Sequence, residues 1–319
     1  MNVVHLSKTP LASSPGRMSF YLNQIGVNSS HFFEQDYPGD LKGKMTMRSF
    51  HLDSSQASYE LLESYLSAAD IVHVHNHISS SLVVLVNKFF EGKKIIFHAH
   101  SPLREGPLFT DVSKQMDLLF TDYFVVAQYQ PRHYQNYTPV CNIVPDINFN
   151  KTNELENPLK ILYTPAHNRA GGRWNPKGSS QLASALDYLS AQNKVDLKSP
   201  PKISEAQLLA YRGTCDVTID EIITGSYHQI SLEGLSSGNI VINNADFFSI
   251  EMLRMAAQAS TAPPFFLASN EDIGQKLESL ISMSDEEITD RKYESRAYFE
   301  KYLNPGRLAN LLVEKYENK

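Results

Sequence analysis

Short runs rich in Val and Ile alternate with amphipathic stretches along this chain, and that alternation predicts most of its elements. NVVHL (2–6), DIVHVHNH (70–77), KKIIFHAH (93–100) and DYFVVAQ (122–128) read as strands, with CNIVP (141–145) as a fifth candidate. RMSFYLNQIG (17–26) and SSSLVVLVNKFFEG (79–92) carry helical spacing between them, and both close on glycine. The polar stretch NKTNELENP then interrupts the pattern before it restarts. LKILYTPAH (159–167), CDVTID (215–220), NIVIN (239–243) and PFFLAS (264–269) are strand-like. PKGSSQLASALDYLSAQ, ISEAQLLAYRG with Ser204 as N-cap, and SYHQISLEGLSSG are helix-like, and the tail from Asn270 is helical and charged. Apolar strands separated by helices predict parallel sheets covered on both faces.

Length changes the picture from one sheet to two. At 319 residues the chain exceeds a single ordinary core. The expected division is an N-terminal Rossmann-like domain over 1–150, a linker over 151–158 and a second Rossmann-like domain over 159–295. A C-terminal helix over 296–319 follows.

Composition excludes several classes. Residues 1–150 hold 11 Lys and Arg against 13 Asp and Glu, and the net charge is -6, so neither half carries a basic footprint for nucleic acid. Two cysteines exclude a disulfide framework. The opening MNVVHLSKTP reads as a strand rather than a leader, and the apolar runs are too short to span a membrane. A cytoplasmic protein without a transmembrane segment is expected.

Ligands of open α/β sheets bind at the carboxyl ends of the strands, which directs attention to the loops there. TPAHNRAGGRWNPKG (164–178) holds Arg169, Gly172, Arg173 and Lys177 ahead of a helix. Glycine admits close backbone approach, a helix N-terminus attracts anions, and Arg with Lys binds phosphate oxygens. The alternative is a solvated loop before a capped helix. His98 and His100 end the third strand, and only one is expected to line the site. His73, His75 and His77 alternate along another strand, about 7 Å apart on one face, a spacing too extended for one ion. No metal site is expected. GxSxG and GxGxxG are both absent, which removes support for a serine hydrolase or a nicotinamide enzyme. Glu233 lies in an otherwise apolar helix, where a carboxylate must be near solvent, paired, or holding a ligand. A nucleotide's ribose diol suits it.

With these segments in place, the second half resembles the retaining GT-B glycosyltransferases. HQISLEGLSSGNIVIN (228–243) is similar to their E-(A/G)-x-(A/S)-x-G segment before a strand, and RWNPKG (173–178) to their Arg…Lys-Gly phosphate motif. TPLASSPGRMSFYLNQIGVNS and KKIIFHAHSPLREG resemble acceptor-side segments of the first domain. The resemblance implies two doubly wound domains facing an interdomain cleft, with the helix over 296–319 packing back toward the first domain. It also implies transfer of a UDP- or GDP-linked sugar, without metal or cofactor, to a glycan, a lipid-linked glycan or another hydroxyl. Arg173 and Lys177 would then neutralise the diphosphate, and Glu233 would hold ribose, its alanine variant losing nucleotide while keeping its melting temperature. His100, or His98, would stand between donor and acceptor. Ser14, Gly16, Arg17 and Arg104 would face the acceptor. The pattern departs where the family's first glutamate falls: Gly225 occupies that position, so Glu221, Ser226, Tyr227 or backbone amides would contact the donor sugar. Three alternatives stay open: transfer to modified bases of phage DNA, sugar-nucleotide epimerisation, and a catalytically silent binding module.

Overall fold

The computed structural model describes residues 1–36, 49–89, 91–100, 109–129, 131–147, 149, 158–164, 179–201 and 203–317. The chain divides into two compact units, one of residues 1–143 with 305–319 and the other of residues 144–304. The expected linker at 151–158 falls almost wholly outside the described residues.

The first unit runs β1 (Asn2–Ser7), α1 (Ser14–Gln24), β2 (Asn28–Phe33), β3 (Ser49–His51), α2 (Gln56–Ala68), β4 (Ile71–His75), α3 (Ser80–Lys88), β5 (Lys94–Ala99), α4 (Phe109–Gln115), β6 (Asp122–Val126) and β7 (Thr138–Val140). Its strands form one sheet in the order β3-β2-β1-β4-β5-β6-β7, with every pairing parallel. Connectivity reverses direction between β1 and β4, which makes their carboxyl ends the topological switch point. Period-two alternation divides each strand between the two faces. Val4, Leu6, Val72, Val74 and Ile95 pack into a core with Leu62 and Leu66 of α2 and Leu82 and Val86 of α3. His5, Ser7, His73, His75 and His98 occupy the alternate positions, all fully buried.

The second unit runs β8 (Leu159–Tyr163), α5 (Ser180–Ala191), β9 (Val195–Lys198), α6 (Glu205–Arg212), β10 (Val217–Ile219), α7 (Gln229–Ser236), β11 (Ile240–Asn243), α8 (Phe247–Ala256), β12 (Phe266–Leu267), α9 (Ile273–Ile281) and α10 (Asp285–Tyr298), followed by a π-helical turn over Phe299–Leu303. The sheet order is β12-β11-β10-β8-β9, again parallel, with its switch point between β8 and β10. Ile161, Val217, Ile219, Ile240 and Ile242 pack with Leu182 and Leu186 of α5 and Leu277 and Leu280 of α9. The last helix, α11 (Pro305–Glu317), belongs to the first unit and packs beside α1.

Two glycines explain the Ser-Ser-Gly corner after α7. Gly238 has φ +69, and the Asn239 N–H donates to Gly234 O at 2.9 Å while the Gly238 N–H donates to Leu235 O at 3.0 Å, a Schellman closure. Gly234 lets α7 sit directly on the sheet, since a Cβ there would stand 2.7 Å from Val241 Cγ2. Ser204 caps α6 in a reciprocal capping box with Gln207, as expected.

The hydrophobic pattern left out β2, β3, α2, α4, β9 and α8. It also misplaced the strand it put at 141–145, which is β7, three residues earlier. NSSHFF of β2 reads as polar because its buried positions are filled by Ser29, Ser30 and His31.

Candidate functional site

Six histidines lie at and beside the switch point of the first unit. Register aligns His31 of β2 with His5 of β1, His5 with His73 of β4, and His75 of β4 with His98 of β5. Neighbouring parallel strands stand roughly 4.8 Å apart, which brings rings together across strands, His5 with His73 at 5.0 Å and His73 with His98 at 5.1 Å between centres, while His73 and His75 lean together to 4.2 Å along one strand. Two hydrogen-bonded chains result. In one, His5 Nδ1 meets His75 Nε2 at 2.9 Å and His75 Nδ1 meets His100 Nε2 at 2.6 Å. In the other, the Tyr316 hydroxyl of α11 meets His73 Nδ1 at 2.7 Å and His73 Nε2 meets His98 Nδ1 at 3.1 Å. His31 is held separately. The Ser7 hydroxyl donates to Thr9 O at 2.6 Å, so it accepts the Nε2–H of His31 at 2.8 Å.

Burial keeps this cluster neutral. Desolvation holds His5 and His100 down to about 3, and pushes His31, His73, His75 and His98 well below the ordinary histidine value, with neighbouring imidazoles adding to the effect. Backbone strain borders the cluster. Leu11, Ala12 and Ser13 take left-handed φ values of 50, 50 and 65° between β1 and α1, and Asn76 takes 59° after β4. Asn76 ties two strand ends together: its N–H donates to His98 O, and its side-chain oxygen accepts the His100 N–H at 2.7 Å.

The expectation that only one of His98 and His100 lines the site is corrected. Residues two apart share a face, and their rings lie 4.1 Å apart, centre to centre. The reason for dismissing metal fails as well. It considered one strand alone, whereas His5, His73 and His75, and likewise His75, His98 and His100, bring three ring nitrogens within 4.8 Å of one another across strands.

The second unit's strand ends carry carboxylates instead. After β10, Asp220 accepts the His228 N–H at 2.6 Å and the Ser231 hydroxyl at 2.8 Å, and lies 3.1 Å from His228 Nδ1. Asn243 of β11 donates to Ser231 Oγ at 2.9 Å, so strand, loop and helix start are joined in one polar network. Glu221 accepts the N–H groups of Ile223 and Thr224 and the Thr224 hydroxyl, which turns its carboxylate into its own loop. That geometry opposes a sugar contact by Glu221. Gly225 has φ +73, where a glutamate would be strained, and its carbonyl accepts from Asp246 N and Ser249 Oγ at the start of α8. Ser226 and Tyr227 follow, both buried.

Glu233 is paired. Its Oε2 accepts from Arg212 Nη2 at 3.1 Å, with the arginine fully buried and the glutamate 7% exposed. Thr218 Oγ1 lies 3.5 Å from Arg212 Nη1 and accepts Asn239 Nδ2 at 2.9 Å. This ion pair gives Glu233 a duty in the fold, so the expectation of an unchanged melting temperature in its alanine variant no longer follows: removal would strand the guanidinium.

Among the remaining expected residues, Ser14 is buried and donates to Asn142 Oδ1 at 2.8 Å, while Gly16 and Arg17 are buried in the first turn of α1. Arg104, Arg169, Gly172, Arg173 and Lys177 lie outside the described residues. Sequence reasoning passed over His5, His31, Asp220 and Arg212. Their available signal was a polar residue inside or bordering an apolar strand or helix.

No protein-family model matches the sequence, and no curated protein does. Solved structures match over the whole chain. A UDP-forming α,α-trehalose-phosphate synthase from Burkholderia xenovorans, in complex with glucose-6-phosphate, matches with a TM-score of 0.62 at 11% identity, covering 100% of both chains. Sucrose-phosphate synthase from Thermosynechococcus elongatus matches at 0.60 and 10% identity, over 99% of this chain and 98% of that one. WaaG, a glycosyltransferase involved in lipopolysaccharide biosynthesis, matches at 0.53 and 11%, over 99% and 100%. At such identities the likeness is one of fold: α/β, with two Rossmann-like domains, the GT-B architecture. No described helix is long and apolar enough to cross a membrane.

Proposed function

We propose that the chain is a glycosyltransferase that takes a sugar from a nucleoside diphosphate sugar. The observation that carries this reading is the full-length fold likeness to synthases and a glycosyltransferase that build glycosidic products. The polar network after β10 adds support, because it sits at the strand ends where such folds bind ligands. In this reading Arg173 and Lys177, with Arg169 and Gly172, neutralise the leaving diphosphate, a charge that must be stabilised as it develops. Glu233 holds the ribose hydroxyls, and Arg212 fixes the carboxylate's direction. Ser226 and Tyr227 border the sugar. On the acceptor side, His100, or His98, stands between donor and acceptor, and Ser14, Gly16, Arg17 and Arg104 shape the site. The chemistry is retaining, as the sequence resemblance implies, and the acceptor is a glycan, a lipid-linked glycan or another hydroxyl.

Calorimetry with UDP and GDP tests the donor site. Lys177→Ala should weaken diphosphate binding by about 1.5–3 kcal/mol, the worth of a charged hydrogen bond, and leave the free nucleoside unaffected. Equal affinity of the unaltered protein for nucleoside and nucleotide would sink the phosphate role. A second reading, a nucleotide-sugar-binding module without transfer, is favoured by Gly225, which puts no carboxylate at the family's sugar-contacting position. Slow hydrolysis of the donor in the absence of acceptor, across a panel of nucleotide sugars, separates enzyme from module.

A further inference from the structure

We propose that the histidine cluster at the carboxyl ends of β1, β4 and β5 is a binding site for one divalent transition-metal ion of the zinc class, with His75 as its central ligand. His75 belongs to both groups of three imidazoles whose ring nitrogens converge, one with His5 and His73 and the other with His98 and His100. Three protein nitrogens suit zinc or cobalt with a coordination position to spare, whereas magnesium and calcium prefer oxygen.

A second observation is independent of that spacing. Each hydrogen-bonded chain of rings ends on a buried nitrogen with no partner among the described residues, His5 Nε2 in one and His98 Nε2 in the other. A neutral imidazole has one donor and one acceptor, so reversing the tautomers along a chain moves the orphan's character without removing it. Buried polar atoms without partners are rare because each costs its desolvation. Modest ring rotations that turn these nitrogens, or their chain neighbours, onto a metal ion remove that cost.

The surroundings are those of a ligand shell. Tyr316 stands 2.7 Å from His73 Nδ1, which leaves Nε2 as the ligating atom and fixes the ring, the part an outer partner plays at metal sites. Asn76, strained at φ 59°, pins the strand end beside His75 to the His98–His100 segment. His100 is only partly buried, unlike the other rings of the cluster. This site does not involve the Arg and Lys charges assigned to the donor diphosphate; it shares His98 and His100 with the acceptor-side reading, and metal binding is read apart from transfer.

Cobalt(II) is the probe, added to the chelator-treated full-length chain. The expected result is one equivalent bound with the intense visible d–d bands of a low-symmetry nitrogen site, displaced by zinc, together with a rise in melting temperature. His75→Gln should abolish the bands. Tyr316→Phe, which keeps the ring's volume, should weaken binding by about 10–100-fold. Circular dichroism reports folding of each variant, and His98→Gln replaces His75→Gln if the latter unfolds. Featureless spectra with folded protein would overturn the proposal, as would identical binding in the His75 or His98 variants. Cobalt-free protein whose long-range ¹H–¹⁵N spectra keep the imidazole-to-imidazole hydrogen bonds after zinc is added would also overturn it, in favour of a plain relay.

Discussion

Both units bury polar side chains in and beside a parallel sheet, yet they manage charge in opposite ways. In the first unit the buried groups are imidazoles that can shed their charge, and burial has taken it from them. In the second they are carboxylates, each given donors: Asp220 by His228 and Ser231, Glu221 by its own loop, Glu233 by Arg212. A group that titrates near neutrality escapes desolvation by losing a proton. A carboxylate in water at neutral pH has a longer way to go and is held by partners instead. The first arrangement is therefore sensitive to pH, and the second to removal of a partner.

Acidification should break the comparison most strongly. His5 titrates near 6.5 in an unfolded chain and near 3 in the folded one. Its contribution is complete above 6.5 and is lost as pH falls toward 3, because the unfolded chain takes up a proton that the folded chain refuses. At pH 5 the loss is about 2 kcal/mol from this one residue, and the other buried imidazoles add in the same direction. Pulse-labelling hydrogen exchange after incubation at pH 7 and pH 5 should show β1, β4 and β5 losing protection while β10 and β11 retain it. Simultaneous loss in both units would remove the distinction.

Partner removal is the converse test in the second unit. Glu233→Ala should cost about 3–5 kcal/mol in urea titration, because it leaves a buried guanidinium uncompensated. Replacing both members, Arg212→Met with Glu233→Leu, should recover most of that loss. A single-variant cost below about 1 kcal/mol would show that Arg212 finds another partner and that the pair is not what holds the carboxylate. Binding of ribo- and 2′-deoxyribonucleotides by the stabilised double variant then isolates any ribose role.

The smallest effect concerns backbone approach. Gly234→Ala brings a methyl group to 2.7 Å from Val241 Cγ2 and should cost about 1–3 kcal/mol by overpacking. Joint substitution with Val241→Ala should relieve it. Unchanged stability in the single variant would mean that α7 moves off the sheet without penalty, and that the Glu233–Arg212 geometry tolerates the shift.

The two-unit α/β architecture was legible because continuous apolar runs such as IVHVH and NIVIN need cover on both faces, and that requirement is local in sequence. So were the helix ends at Ser204 and Gly238, which depend on residues three to four positions away. β2 was not legible, since NSSHFF has a polar composition and becomes central only by pairing with β1. The partners of the charged and titratable groups lay further off still. Arg212 meets Glu233 across 21 residues, His75 meets His5 across 70, and Tyr316 reaches His73 across 243. Periodicity tells which face of a strand a histidine occupies, and it did so for His73 and His75. Which imidazole stands beside it depends on strand order, and strand order is a property of the folded sheet.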